Sequence, residues 1–229
     1  MNVRRYVLIS LGLVAAMFLV AVWAWPQLPP GAQIPIHWDA AGNPNGYASK
    51  EFGLLFVPLL SLGLTALFAL IPRIEPRRSN LSRSSRAYGV TWLSVIVLML
   101  FIQIVTTLVV LGYNLSVTSL VIGGVGVMFV VMGNYLGKVR SNFMFGIRTP
   151  WTLTSERSWN RTHRLGGRLF VLFGAALVVA ALLGQPGVEV AVLIGGLILV
   201  IPIVFIYSYR VWRDDPDRRA VGGESDHSA

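Results

Sequence analysis

The sequence predicts an all-α integral membrane protein of six transmembrane helices with both termini in the cytoplasm. Three observations carry that prediction. Hydrophobic residues fill 55% of the 229 positions and charged residues only 13%, too few to coat a soluble domain of this length. The charges are bunched, and between them lie six apolar runs, most of them long enough for a helix to cross the hydrocarbon core. Threading all six across a bilayer gathers Arg4 and Arg5, Arg73–Arg86, Lys138–Arg168 and Arg210–Arg219 on one side and leaves only Lys50 on the other. The positive-inside rule makes the crowded side cytoplasmic. The net charge of +9 therefore sets topology and meets anionic membrane lipids, and no direct nucleic-acid partner is expected. With no cysteine in the chain, a disulfide framework and thiolate chemistry are excluded.

Taken in order, a short basic start leads into Tyr6–Trp25, the first span. A signal peptide competes for this stretch, with Ala24 as a cleavage residue. The run is longer than a usual signal core, and Trp23 and Trp25 read as an interfacial belt. In the loop 26–50, Pro26, Pro29, Pro30 and Pro35 exclude a continuous helix, and Ile34, Ile36 and Trp38 alternate like a short strand. Ala40–Tyr47 then supplies turn chemistry, with Asn-Pro followed by Asn-Gly. An extended segment and turn on the outer membrane surface follow from this. His37, Trp38, Gly42 and Tyr47 either cap the bundle there or line a mouth that meets an extracellular ligand.

The second span is Phe52–Ile71, with Pro58 as a kink site. Pro72–Ala87 reads as a solvated cytoplasmic turn. Tyr88–Leu111 forms the third span and Thr118–Leu136 the fourth. Gly133 and Gly137 make a GxxxG pair, which places the fourth helix centrally in the bundle. Asn134 is expected to bond to a neighbouring helix. The fifth span needs a helix that begins ahead of the uncharged run Leu169–Gly184, and the sixth is Val190–Tyr209. The tail is expected to lose structure beyond about Asp217.

The stretch 137–167, GKVRSNFMFGIRTPWTLTSERSWNRTHRLGG, is longer and more aromatic than a turn between spans requires. Pro150 pushes Thr149 into an extended conformation. Thr154 or Ser155 can cap a helix with Glu156 in its first turn, running through Trp159, Thr162 and His163 into the fifth span. Glu156, Asn160 and His163 share a face, and Trp159 and His163 are neighbours on it. One carboxylate and one imidazole are too few for a metal site, so neither metal nor cofactor is expected. Three readings remain: an interfacial helix with tryptophan anchors, an acid–base pair of Glu156 and His163, or a partner-binding surface. Arg140 and Arg148 can pair with Glu156 to brace the loop or offer forks to a carboxylate or phosphate. No catalytic signature such as HExxH, GxSxG, a Walker loop or CxxC is present. No charged residue lies at the centre of a span, which argues against a proton-coupled carrier.

Two stretches carry a family resemblance. IPIHWDAAGNPNGYASKEFGLLFVP (34–58) resembles an IPxHWxxxGxPxxY-type stretch from a small membrane domain of uncharacterised function. GNYLGKVRSNFMFGIRTPWTLTSERSWNRTHRLGG (133–167) resembles the signature of the SdpI family. That resemblance implies a multi-pass protein of the bacterial cytoplasmic membrane and not an enzyme. It divides the chain into an N-terminal two-helix domain (1–87), an SdpI-like four-helix domain (88–210) and a charged cytoplasmic tail (211–229). It implies immunity to a secreted, membrane-active killing peptide, with capture of a cytoplasmic transcriptional repressor at the membrane as a second role. On this reading the partner-binding residues of the inner loop are Arg140, Asn142, Gly146, Arg148, Thr149, Pro150, Trp151, Glu156, Trp159, Thr162 and His163. The alternative is a transporter or flippase for a peptide or lipid.

Overall fold

A computed structural model describes residues 1–218. Its helices are α1 (Val3–Ala24), α2 (Lys50–Ile74), α3 (Arg78–Arg83), α4 (Ser85–Val110), α5 (Val117–Leu136), α6 (Pro150–Thr154), α7 (Glu156–Leu183) and α8 (Pro186–Arg213). Between α1 and α2 lie two strands, β1 (Gln33–Trp38) and β2 (Pro44–Ser49). Six of the helices, α1, α2, α4, α5, α7 and α8, are long and apolar enough to cross a membrane. The tail expected to lose structure lies, from residue 219 onward, outside the described residues.

The bundle has two halves that meet along α4 and α5. In the first, Met17, Leu81, Tyr88, Trp92 and Ile96 form a buried cluster joining α1, α3 and α4. Tyr6 lies directly over Gly89, where any side chain would collide with its ring. The Tyr88 hydroxyl donates to the Phe68 carbonyl at 2.6 Å, so this aromatic core is also hydrogen-bonded. In the second half α5 and α7 run antiparallel in backbone contact. A Cβ at Gly133 would lie 2.7 Å from the Gly167 carbonyl oxygen, and one at Gly126 the same distance from that of Gly174. In lipid, helix association depends on such close packing, because hydrocarbon gives no hydrophobic drive between helices. The central place expected for α5 is therefore observed. Asn134 departs from expectation, since its amide donates back to Val130 of its own helix at 2.8 Å on an exposed face.

At one end β1 and β2 form an antiparallel hairpin. The turn is Asp39–Asn43, not the Asn-Gly pair. The Asp39 carboxylate accepts from the amides of Ala41 and Asn43, both at 2.9 Å, and Gly42 takes φ +85°. These amide donors hold its pKa below the ordinary carboxylate value. Asn45 and Gly46 sit inside β2, where Gly46 faces His37 across an irregular register. Ile34 anchors the hairpin by packing onto Gly53 of α2, where a Cβ would come within 2.6 Å. The hairpin tip rests on the second half, with Gly42 against Pro186 and Thr118.

Pro72–Ala87 is not a solvated turn. Pro72 continues α2, α3 folds within the segment, and Glu75, Leu81 and Ser84 are buried. Pro58 is likewise inside a continuous α2. At the far end α7 is a single 28-residue helix, so the early start needed for the fifth span is present, and α8 extends past both expected limits.

Candidate functional site

Residues 137–155 fold into a tightly bonded plug at the end of the bundle opposite the hairpin. Asn142 organises it. Its side-chain oxygen accepts from the amides of Met144 (3.0 Å) and Phe145 (2.7 Å), and its nitrogen donates to the Arg140 carbonyl (2.9 Å). This is local side-chain capture of backbone groups that no helix or sheet serves. Gly146 has φ +111°, and a Cβ there would lie 2.5 Å from His163 Nε2. That glycine lets the chain pass over the imidazole, and the amide of Ile147 then donates to His163 Nε2 at 3.0 Å. The other ring nitrogen, Nδ1, lies 2.9 Å from the Trp159 carbonyl. The two bonds together require a neutral ring with its proton on Nδ1. Trp159 stacks on His163 with centroids 4.1 Å apart, and its indole donates to the Val139 carbonyl at 2.7 Å.

The plug is also tied to both halves. Glu75, at the end of α2, is fully buried, and its carboxylate accepts from the amides of Phe143 (3.1 Å to each oxygen), Met144 (2.9 Å) and Arg77 (2.8 Å). Arg77 donates to the Ser141 hydroxyl, Asn80 to the Ser141 carbonyl at 2.9 Å, and the amide of Arg140 to Ser84 Oγ at 2.8 Å. Phe145 enters the aromatic core of the first half, 5.4 Å from Tyr88. On the other side, Thr149 caps α6 through a box with Thr152 and reaches Ser208 of α8 at 3.1 Å. Ser155 caps α7 and bonds to Asp215, and Trp151 packs edge-on against Phe205. The extended Thr149 and the Ser155 cap were both legible in the sequence.

This geometry sorts the expected partner-binding residues. Asn142, Thr149, Trp159, Thr162 and His163 are buried, so they shape the plug from within. Arg140, Arg148, Pro150 and Glu156 are exposed, with Gly146 and Trp151 half-buried. Three expectations are corrected. Trp159 is fully buried and is no interfacial anchor. Glu156 is exposed while His163 is buried, so they form no acid–base pair. Arg148 donates to the Phe143 carbonyl at 2.9 Å, and the cation beside Glu156 is Arg77, at 4.0 Å, not Arg140 or Arg148. Among the described residues, no three His, Cys, Asp or Glu side chains group as a metal site. Glu75, Asn80, Ser84 and Ser208 were missed. The only sequence signal was Glu75 itself, a lone acid in a segment with five arginines.

Beneath the hairpin lies a second feature, a cavity of about 640 Å³ between the halves. Its floor is apolar, including Phe56, Met99, Ile102 and Val121, and His37, Trp38 and Asp39 stand at its hairpin side. His37 Nδ1 is 2.5 Å from Asn45 Oδ1, which fixes the ring across the hairpin. Tyr47 is 56% exposed and takes no part in the lining. Lys50, the cation isolated from the others, is buried at this end with its ammonium 2.7 Å from the Leu28 carbonyl.

Comparison with known proteins matches two parts of the chain to family models. Residues 138–208 match the SdpI/YfhL protein family, and residues 12–62 match a domain of unknown function, DUF1648. Over 205 residues the chain is 26% identical to the Bacillus subtilis protein named Immunity protein SdpI, covering 88% of this chain and 94% of that one. No solved structure matches the chain. Six apolar helices and these matches make it a multi-pass protein of the cell membrane.

Proposed function

We propose that this SdpI/YfhL-type membrane protein confers immunity on the cell that carries it, by binding a secreted, membrane-active killing peptide in the bilayer. The observation that carries this is the similarity to Immunity protein SdpI, which runs through both membrane halves and not one alone. The charge asymmetry supports an orientation with both termini and the plug in the cytoplasm and the hairpin outside. The cavity beneath the hairpin then faces the side from which a secreted peptide arrives. Its apolar floor suits apolar side chains, and His37, Trp38 and Asp39 offer polar contacts at the rim. The reading is one of binding, not catalysis, with α2 and α4 as one wall of the cavity and α5 with the start of α8 as the other.

Capture of a repressor protein is a finer role. Its support is the exposed part of the plug, where Arg140, Phe143, Arg148, Pro150 and Glu156 stand on a backbone fixed by buried bonds. A second reading rests on the groove of about 690 Å³ between α4 and α7, floored by Gly123 and Gly124. An apolar groove along the spans suits a lipid or peptide in transit, and movement of a labelled substrate across proteoliposomes would favour it.

The test of immunity is survival of a sensitive bacterium expressing the chain and challenged with such a peptide, beside a panel of other membrane toxins. Protection is expected, with Arg148→Ala reducing it only if the plug surface is used. Normal membrane insertion with no protection against any toxin refutes the proposal.

A further inference from the structure

We infer that the cleft where α3, residues 137–140 and α7 meet binds a phosphate group, presented by an anionic phospholipid headgroup or by a soluble phosphate. The cleft has a volume of about 510 Å³ and is lined by Arg83, Lys138, Arg140 and Arg164, with Asn160 beside them. Four cations from three separate elements converge there, and no carboxylate lines it. Among the described residues, none of the four side chains makes a hydrogen bond or ion pair with the protein. Lys138 has only the Tyr135 ring, 5.0 Å away. Three other arginines at this end behave differently. Arg77 donates to Ser141, Arg148 to Phe143 and Arg157 to Asp214, so each has a structural task that the cleft residues lack.

Arginines that only set topology can spread into water and avoid one another. Holding four cations around one cleft costs repulsion that an anion relieves. Guanidinium forks match phosphate oxygens, and the Asn160 amide adds a neutral donor. Gly137 lies in the cleft wall, in van der Waals reach of the Arg164 stem where it crosses the end of α5. Arg164 also lines an adjoining cleft of about 260 Å³ with Arg161, Arg168 and Tyr207. The basic surface therefore continues along α7 from the first cleft. Its place at the ends of spanning helices is the level at which lipid phosphates lie.

The experiment uses the full chain purified in a maltoside detergent and native mass spectrometry. The probes are short-chain phosphatidylglycerol, phosphatidylcholine, a diacylglycerol without phosphate, and inorganic phosphate. The test variant is Arg83→Gln/Arg140→Gln/Arg164→Gln. The control removes the same charge at Arg4, Arg5 and Arg210. All three cleft arginines are exposed, so the variant should fold, and a matching lysine triple that keeps the charge checks this. Saturable retention of phosphatidylglycerol over both other lipids is expected, weakened about tenfold or more in the glutamine triple and little in the control. Retention unaffected by excess inorganic phosphate assigns the site to lipid. Displacement by phosphate, or binding of phosphate alone, assigns it to a soluble ligand. Equal loss in the control, no preference over diacylglycerol, or binding of neither probe class overturns the inference.

Discussion

Replacing Glu75 by alanine tests whether one buried carboxylate holds the plug closed. Three backbone amides point at it. Phe143 shares its proton between both oxygens at 3.1 Å, Met144 donates at 2.9 Å and Arg77 at 2.8 Å. Truncation leaves the Phe143 and Arg77 amides without a partner in a site that is fully buried, while Met144 keeps the Asn142 side-chain oxygen. A stranded buried donor costs about 1–3 kcal/mol. Taking the low end, because the segment can shift or admit water, gives about 2 kcal/mol in all. At about 1.4 kcal/mol per tenfold, plug opening should become roughly thirtyfold more frequent. The chain has no cysteine, so Ser141→Cys gives a single thiol at a buried position beside the clamped amides, and the loss of the hydroxyl that Arg77 meets is common to every protein compared. The assay is the rate of maleimide labelling of that thiol in membranes, with and without Glu75→Ala. Glu75→Gln keeps one acceptor oxygen and should fall between them. Labelling at the same rate in all three proteins would refute the argument and show that Asn142 and His163 hold the plug unaided.

His163→Ala removes the acceptor of the Ile147 amide and the ring that Trp159 stacks on; a loss of about 1–3 kcal/mol is expected in detergent unfolding, with His163→Gln recovering part of it. Gly133→Ala forces a methyl against the Gly167 carbonyl and should lower stability by about 1–3 kcal/mol, measured the same way, while Gly63→Ala, with open space around it, should not. Val121→Trp fills much of the cavity beneath the hairpin and should abolish protection at unchanged membrane levels, if the killing peptide binds there. The depressed pKa of Asp39 means that its contribution to the turn is present above the ordinary carboxylate value and lost only as the pH falls through the lower folded one. The amide resonances of Ala41 and Asn43 should therefore hold steady on acidification to about pH 4 and move only below it, and Asp39→Asn should remove that transition.

The spans were legible because their signal is local. An uncharged run of the right length has one economical answer in a bilayer, and the arginines at the run ends agree with it. The Ser155 cap and the extended Thr149 were legible for the same reason, each fixed by a neighbour or two. What escaped depends on residues distant in the chain. Glu75 finds its partners 68 and 69 positions away, and nothing in Pro72–Ala87 alone separates a buried acceptor from one more solvated charge. Asn45–Gly46 has strong turn chemistry, yet Asp39 takes the turn because its carboxylate captures two amides, and Gly46 is used instead where the strand must pass His37. Trp159 near a run of arginines looks interfacial until Val139 folds back to receive its indole proton. The division of the candidate residues into inward and outward ones therefore required the fold.

The glycine contacts between α5 and α7 have a consequence for which insertions and deletions a chain of this kind can survive. Gly126 faces Gly174 and Gly133 faces Gly167, so each helix carries its pair seven residues, about two turns, apart. Adding or removing one residue between the members of a pair on either helix would rotate one glycine by about 100° out of the contact and bring a side chain into it. Residues 111–116 lie outside these ladders and can absorb a change of length without disturbing them, whereas 138–148 are held in register by the bonds of the plug. Among variants of this chain, length changes should collect in 111–116 and be absent from 126–133 and 167–174, whatever happens to the side chains between.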